Sequence, residues 1–475
     1  MSEPKVGLIS FGDGRDDMWE KVFRDLAEPR HQLAHEYFKG LPVEFYGNQE
    51  VARSMEQINA QVDDLRAKKV DVLIAHIPCW TSPNLVVHGI QQLNLPTVII
   101  TSQSAATHGM VGFLGAGGAL KQVGINHLRI REDFKTEAMT NKLMPYLWAS
   151  HAKNTLKGEV FGYFGGRSIG IDTGCFDPLQ WRSQFGIDVE HVDQLEIIRR
   201  AELIPAERTQ KMLDWLKETS AKIDFDNAVL TEAKLSFQIN CYLATKDIAE
   251  ELHLDFMAVK CMPDLSTHYV PQCLTAAFMP GPYDAEGQKP CTAMGCEADG
   301  DGALTMEVLK QVTGGSPTLF GDLSHIDNET QTLYLPNCGA QSTWFAKRSE
   351  DPAENMAQVE LRPSVRPGGG ATVYFRAAPG PITLARLYRW SGKYRMAIIP
   401  GDAVELSPKK LEAFIEARGK HQLPAAFVKV SMNLENLCDE FGSNHISGVA
   451  GDCVKELVHF CEMMDITPVV MDENY

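Results

Sequence analysis

Apolar positions in the first third of the chain fall into short runs rich in β-branched residues, separated by stretches of helical spacing. KVGLISF, LPVEFYG, VDVLIAHI and PTVIITS read as strands, with helices over 15–38, over 48–68 and from Pro83 onward between them. Runs that are apolar at nearly every position, such as VLIAHI, belong to strands covered on both faces, which points to a parallel sheet flanked by helices. The pattern restarts at GEVFGYFGGRSIG, passes through IDVEHVD and a periodic helix near 229–252, and ends on FMAVKCM and PCTAMGCEADG. After TGGSP the spacing changes to that of half-buried strands. TLFGDLSHID, TLYLPNC, QVELRP, ATVYFRA, PITLARLYRW and KYRMAIIPGDAVEL are bounded by Gly, Pro and Asn, and helices are expected near 407–418 and 453–464. The expected class is α/β, with two α/β domains over 1–155 and 156–315 and a β-rich C-terminal domain over 316–475. RPSVRPGGG reads as an exposed loop.

Composition narrows the function. A chain of 475 residues is too long for one hydrophobic core. Its formal net charge of −17 argues against nucleic acid as a partner, because phosphate binding needs clustered Lys and Arg. No apolar run is long enough for a membrane span, and MSEPKVGLISFGDGRDD lacks the basic and apolar regions of an export signal, so a cytoplasmic location is expected. The eleven cysteines include no CxxC pair, which favours buried reduced thiols over a zinc ribbon or a disulfide framework.

Four stretches carry candidate chemistry. In SFGDGRDDMW the aspartates suit a helix cap and an acidic first turn, and Arg15 is left over. HIPCWTSPN puts Trp80 at the carboxyl end of a buried strand, where core packing is the stronger reading and stacking on a sugar ring the alternative. GCEADGDGALTMEVL holds four carboxylates where a strand gives way to a helix. Asp299 or Asp301 can cap that helix, Glu307 reads as solvated, and Glu297, ahead of the cap, is the one least explained by structure. Asp322, in LFGDLSHID, divides evenly between a surface turn and a site. His445 differs from the other histidines in lying among small residues, in FGSNHISGVAGD, although a lone His in a loop is a weak signal. Two strand-end carboxylates become a metal site if an imidazole completes them, since hard divalent ions take oxygen ligands and commonly accept one His.

In order along the chain, DGR (Asp13–Arg15), PCW (Pro78–Trp80), Glu297 and Asp299 before a small-residue helix, Phe320–Asp322, ITLARLYRWSGKYRMAIIPG (382–401), Asn444–Asp452 and the closing ITPV resemble the L-fucose isomerase family. The resemblance implies three domains, two of them Rossmann-like and doubly wound and the third β-rich. It implies an aldose–ketose isomerase acting through a cis-enediol on a hexose, 6-deoxyhexose or pentose. One divalent ion, Mn2+ with Co2+ or Mg2+ as alternatives, would be held by Glu297, Asp322 and His445, with Glu297 and Asp322 as the acid/base pair. Arg15, Trp80, Lys260 and Asn444 would contact the sugar, with Trp390 and Tyr388 weaker candidates for the same wall and core packing the stronger reading for one of them. The family also implies a homo-oligomer, trimer or hexamer, in which a neighbouring subunit lends Arg15 and Trp80. The chain departs from the family in being shorter and in carrying Lys260 and Cys261 where those enzymes have a Gln-rich stretch. With Arg15 and Arg167, Lys260 suits an anionic sugar such as the sulfonated hexose sulfoquinovose.

Overall fold

The computed structural model describes residues 3–339, 341–419 and 422–473. The chain divides into two compact units, Met1–Asn154 and Thr155–Tyr475.

The first unit is a five-stranded parallel sheet. Its strands, in sheet order, are Glu44–Gly47, Lys5–Ser10, Val72–His76, Thr97–Thr101 and Leu128–Arg131. The strands VLIAH and TVIIT are buried at every position, as expected of strands with helices on both faces. The order reverses beside the first strand, so the loops after Ser10 and after His76 border a topological switch point. In open α/β sheets that is where a crevice forms.

The second unit contains a parallel sheet in the order Met294–Cys296, Phe256–Val259, Val160–Phe164, Asp188–Val192. It also contains an eight-stranded sheet, antiparallel except for Thr467–Val470, which pairs parallel to Lys393–Ala403. The β-rich C-terminal half is therefore as expected, with its late helices at Pro408–Arg418 and Val454–Met463. A smaller three-stranded sheet joins Lys222–Ile223 to Glu360–Pro363 and Ala371–Tyr374, so segments from either side of residue 316 share hydrogen bonds.

The helix Gly300–Val312 is buried along almost its whole length. A helix enclosed on all sides has no solvated face for charge. The expectation of a solvated Glu307 is thus corrected: its side chain is fully buried, and Lys310 Nζ lies 2.6 Å from its carboxylate. RPSVRPGGG is corrected as well. Val365 and Pro367 are exposed, but Ser364, Gly369 and Gly370 are buried and the backbone is tied to neighbouring segments.

Candidate metal centre

Glu297 leaves the Met294–Cys296 strand with φ of +57°, and Ala298 follows at +56°. Two successive side-chain-bearing residues in the left-handed region cost on the order of 1 kcal/mol or more each, and strain of this kind concentrates at functional sites. Within this tight exit Asp299 caps the helix, accepting from the Gly302 amide at 2.8 Å.

Asp322 ends the Thr318–Asp322 strand and His445 begins His445–Ala450. These strands are antiparallel neighbours, and Asp322 lies opposite His445 in register. Directly opposed residues place their side chains within reach on one face. Nε2 of His445 is 3.3 Å from Asp322 Oδ1 and 3.1 Å from Glu297 Oε2. One donor atom from each of the three side chains lies within 4.8 Å of the others, and the three together could hold a metal ion.

The other imidazole nitrogen is fixed. Nδ1 of the buried His445 donates to Asp299 Oδ2 at 2.7 Å, and the His445 ring packs 4.7 Å from Phe320. Asp299 is in turn gripped by Arg386, Nη1 donating to Oδ2 at 2.6 Å and Nη2 to Oδ1 at 3.1 Å, both side chains wholly buried. Nη2 of Arg386 also donates to the Thr173 carbonyl at 2.7 Å. Burial works against ionisation of Asp299, yet Arg386 and His445 together hold it below the usual carboxylate range. For His445, burial opposes protonation, but hydrogen bonds to Asp299, Asp322 and Glu297 win and raise its pKa well above the ordinary value. A proton on Nε2 and a divalent cation would compete for the same place.

Space around this relay is fully used. A Cβ on Gly302 would lie 2.5 Å from the Phe320 ring, 2.6 Å from Arg386 Nη1 and 2.8 Å from Asp299 Oδ2. Asn337 Nδ2 donates to Asp322 Oδ2 at 3.2 Å and orients that carboxylate. Asp301, read from sequence only as a possible cap, accepts from Tyr394 Oη at 2.7 Å and from Arg389 Nε at 3.2 Å. Burial raises its pKa to about 6.

The remaining sequence candidates are placed as follows. Arg15 is more than half exposed and forms a two-pronged pair with the buried Asp13, at 3.0 and 2.6 Å. It lies in the loop after the first strand, and the partly buried Trp80 lies in the loop after Val72–His76, so both border the switch point of the first unit. Lys260 pairs with Asp264 at 2.7 Å, and Arg167 pairs with Asp172. Asn444 is exposed and accepts from Thr173 Oγ1 at 2.9 Å. Trp390 is 41% exposed with the Arg395 guanidinium 4.0 Å above its ring, whereas Tyr388 is core.

Asp299 and Arg386 as the support of His445 were missed from sequence. A signal for Arg386 was available: in ITLARLYRW it shares strand parity with Ile382, Leu384 and Tyr388, and an arginine on a core face requires a carboxylate.

The model of the first N-terminal domain of L-fucose isomerase matches residues 3–158, and that of its C-terminal domain matches residues 335–472. The chain belongs to the L-fucose isomerase family. As a member it is an aldose–ketose isomerase. It is 19% identical to a protein named sulfoquinovose isomerase from Priestia aryabhattai, over 93% of this chain and 95% of that one. Proteins of the same name from Alkalicoccus urumqiensis (24%, 66% of this chain and 65% of that one) and Clostridium sp. (strain MSTE9) (23%, 80% and 82%) are also similar. Among the described residues, no helix of this family member is long and apolar enough to cross a membrane.

Proposed function

We propose that this isomerase interconverts a sulfonated aldose, of the sulfoquinovose type, and its ketose, at a divalent-metal site formed by Glu297, Asp322 and His445. The observation that carries the metal reading is the convergence of two carboxylates on His445 Nε2 while Nδ1 is committed to Asp299. Two oxygens and one imidazole nitrogen suit Mn2+, Co2+ or Mg2+, and a carboxylate behind the His is the usual support of such a ligand. The substrate reading draws on the names of the relatives.

When bound, the ion would supply Lewis-acid stabilisation of the negative charge that develops on the oxygens at C1 and C2. The proton traffic belongs to the chain. Glu297 takes the proton from C2 of the open aldose and returns it to C1 of the cis-enediol, while Asp322, steadied by Asn337, gives a proton to the oxygen at C1 and takes one back from the oxygen at C2. Asp299 holds the His445 ring so that Nε2 keeps facing the reaction centre. Asn444 offers its amide to a sugar hydroxyl.

Arg15 and Trp80 would come from a neighbouring copy, in a trimer or hexamer. In support, the helix Gly109–Gln122 exposes Met110, Val111 and Leu114, an apolar face of the kind that subunits cover. Glu297→Gln is expected to lower kcat by roughly 100- to 10,000-fold, the range for loss of a positioned base. Mixing inactive Glu297→Gln with inactive Arg15→Gln subunits should restore part of the activity. Absence of restoration in demonstrably mixed oligomers would refute the shared site, and full turnover by Glu297→Gln would refute the base.

A further inference from the structure

The cations that the sequence offers for an anionic sugar are already matched by carboxylates: Arg15 by Asp13, Lys260 by Asp264 and Arg167 by Asp172. Arg366 is different. Among the described residues no carboxylate lies within ion-pairing distance of its guanidinium, and the one side chain it bonds is a thiol, Cys338 Sγ, 3.3 Å from Nη2. It lines a cavity of about 20 Å³, room for a single water, walled also by Cys261, Cys273, Cys296 and Cys338, with Arg366 the one charged side chain in the wall.

Arg366 is also held rigidly. The Gly369 amide donates to its carbonyl at 2.9 Å, and the Ser364 amide closes the turn on the Gly370 carbonyl at 2.9 Å. The turn is anchored from outside, since the Gly368 amide donates to the Ser266 carbonyl at 2.9 Å and the Gly370 amide to the Val229 carbonyl at 2.8 Å. Glycine is required for this docking: a Cβ at 368 would sit 2.2 Å from the Tyr269 carbonyl oxygen, and Gly369 and Gly370 have φ of +75° and +82°. A run that reads as an exposed loop has its backbone anchored on either side of Arg366.

The turn adjoins the metal centre. Cys338, which accepts from Arg366, follows Asn337, which donates to Asp322 at 3.2 Å. Burial raises the Cys338 thiol pKa, and the charges of Arg366, Glu297 and Asp322 all act on that sulfur.

We propose that Arg366 is the specificity residue that binds the acidic group at the far end of the sugar while C1 and C2 lie against Glu297 and Asp322. A planar, preorganised guanidinium without a counter-ion suits a sulfonate, which accepts two parallel hydrogen bonds and never loses its charge near neutrality. The inference rests on the sulfonated-aldose reading above, and its test separates the two. Steady-state kinetics of wild type, Arg366→Gln, Arg366→Lys and Lys260→Gln are compared on sulfoquinovose and on 6-deoxy-D-glucose, which lacks only the sulfonate. Arg366→Gln is expected to raise KM for sulfoquinovose roughly 100-fold or more, with kcat far less affected, and Arg366→Lys to recover part of the loss. If wild type prefers sulfoquinovose but Arg366→Gln leaves its KM within about threefold, or Lys260→Gln takes the loss instead, the inference fails and the substrate reading stands. If wild type handles 6-deoxy-D-glucose as well as sulfoquinovose, both fail together.

Discussion

Asp299→Asn separates the support of the proposed metal centre from the centre itself. The wild-type carboxylate makes three kinds of contact: a cap to the Gly302 amide at 2.8 Å, a two-pronged pair with Arg386, and the bond at 2.7 Å from His445 Nδ1. Asparagine keeps an oxygen for the cap but loses the charge, leaving the Arg386 guanidinium buried beside an amide. Removing one partner of a buried ion pair costs about 3–5 kcal/mol, and loss of a carboxylate behind a metal-binding His weakens metal affinity by about 10- to 100-fold. Both effects are expected, the first by urea unfolding and the second by Mn2+ titration calorimetry. The double variant Asp299→Asn, Arg386→Met divides them: it should recover most of the stability, because no charge is left stranded, yet none of the metal affinity. Unfolding within about 1 kcal/mol of wild type together with unchanged Mn2+ affinity would refute the relay from Arg386 through Asp299 to His445.

Two further outcomes follow from the same packing. Gly302→Ala must push against Phe320, Arg386 and Asp299, so a loss of about 1–3 kcal/mol in stability and weaker Mn2+ binding are expected, and a neutral alanine would contradict the crowding. In the first unit, burial lowers the pKa of His76 from 6.5 to about 3 and that of His31 to about 4, the two rings sharing Ser10 Oγ. The unfolded chain then binds more protons than the folded one below pH 6.5, so stability is full above 6.5 and falls as pH drops toward 4 and 3. Urea unfolding across that window should show the slope, and His76→Gln should flatten it.

Much of the fold was legible because burial on two faces and burial on one face leave different patterns. VLIAH and TVIIT announced the parallel sheet, and ITLARLYRW the β-rich half. Within the site, Glu297 stood out locally, as the acid ahead of the helix cap. Asp322 and His445 did not, because what joins them is a cross-strand register between distant segments, and only the resemblance to a family supplied it. Glu307 was misread because a helix enclosed between sheets cannot be told from a surface helix by its charges. The Ser364–Gly370 turn was misread because Gly and Pro mark loose loops and close docking alike.

On the proposed reading, turnover depends on a divalent ion held by Glu297, Asp322 and His445. Its most direct test is conversion of sulfoquinovose by EDTA-stripped protein before and after Mn2+ is added, with His445→Ala alongside. No turnover is expected when stripped, with recovery on Mn2+ in wild type and none in His445→Ala. Full turnover by protein shown to be metal-free would contradict it.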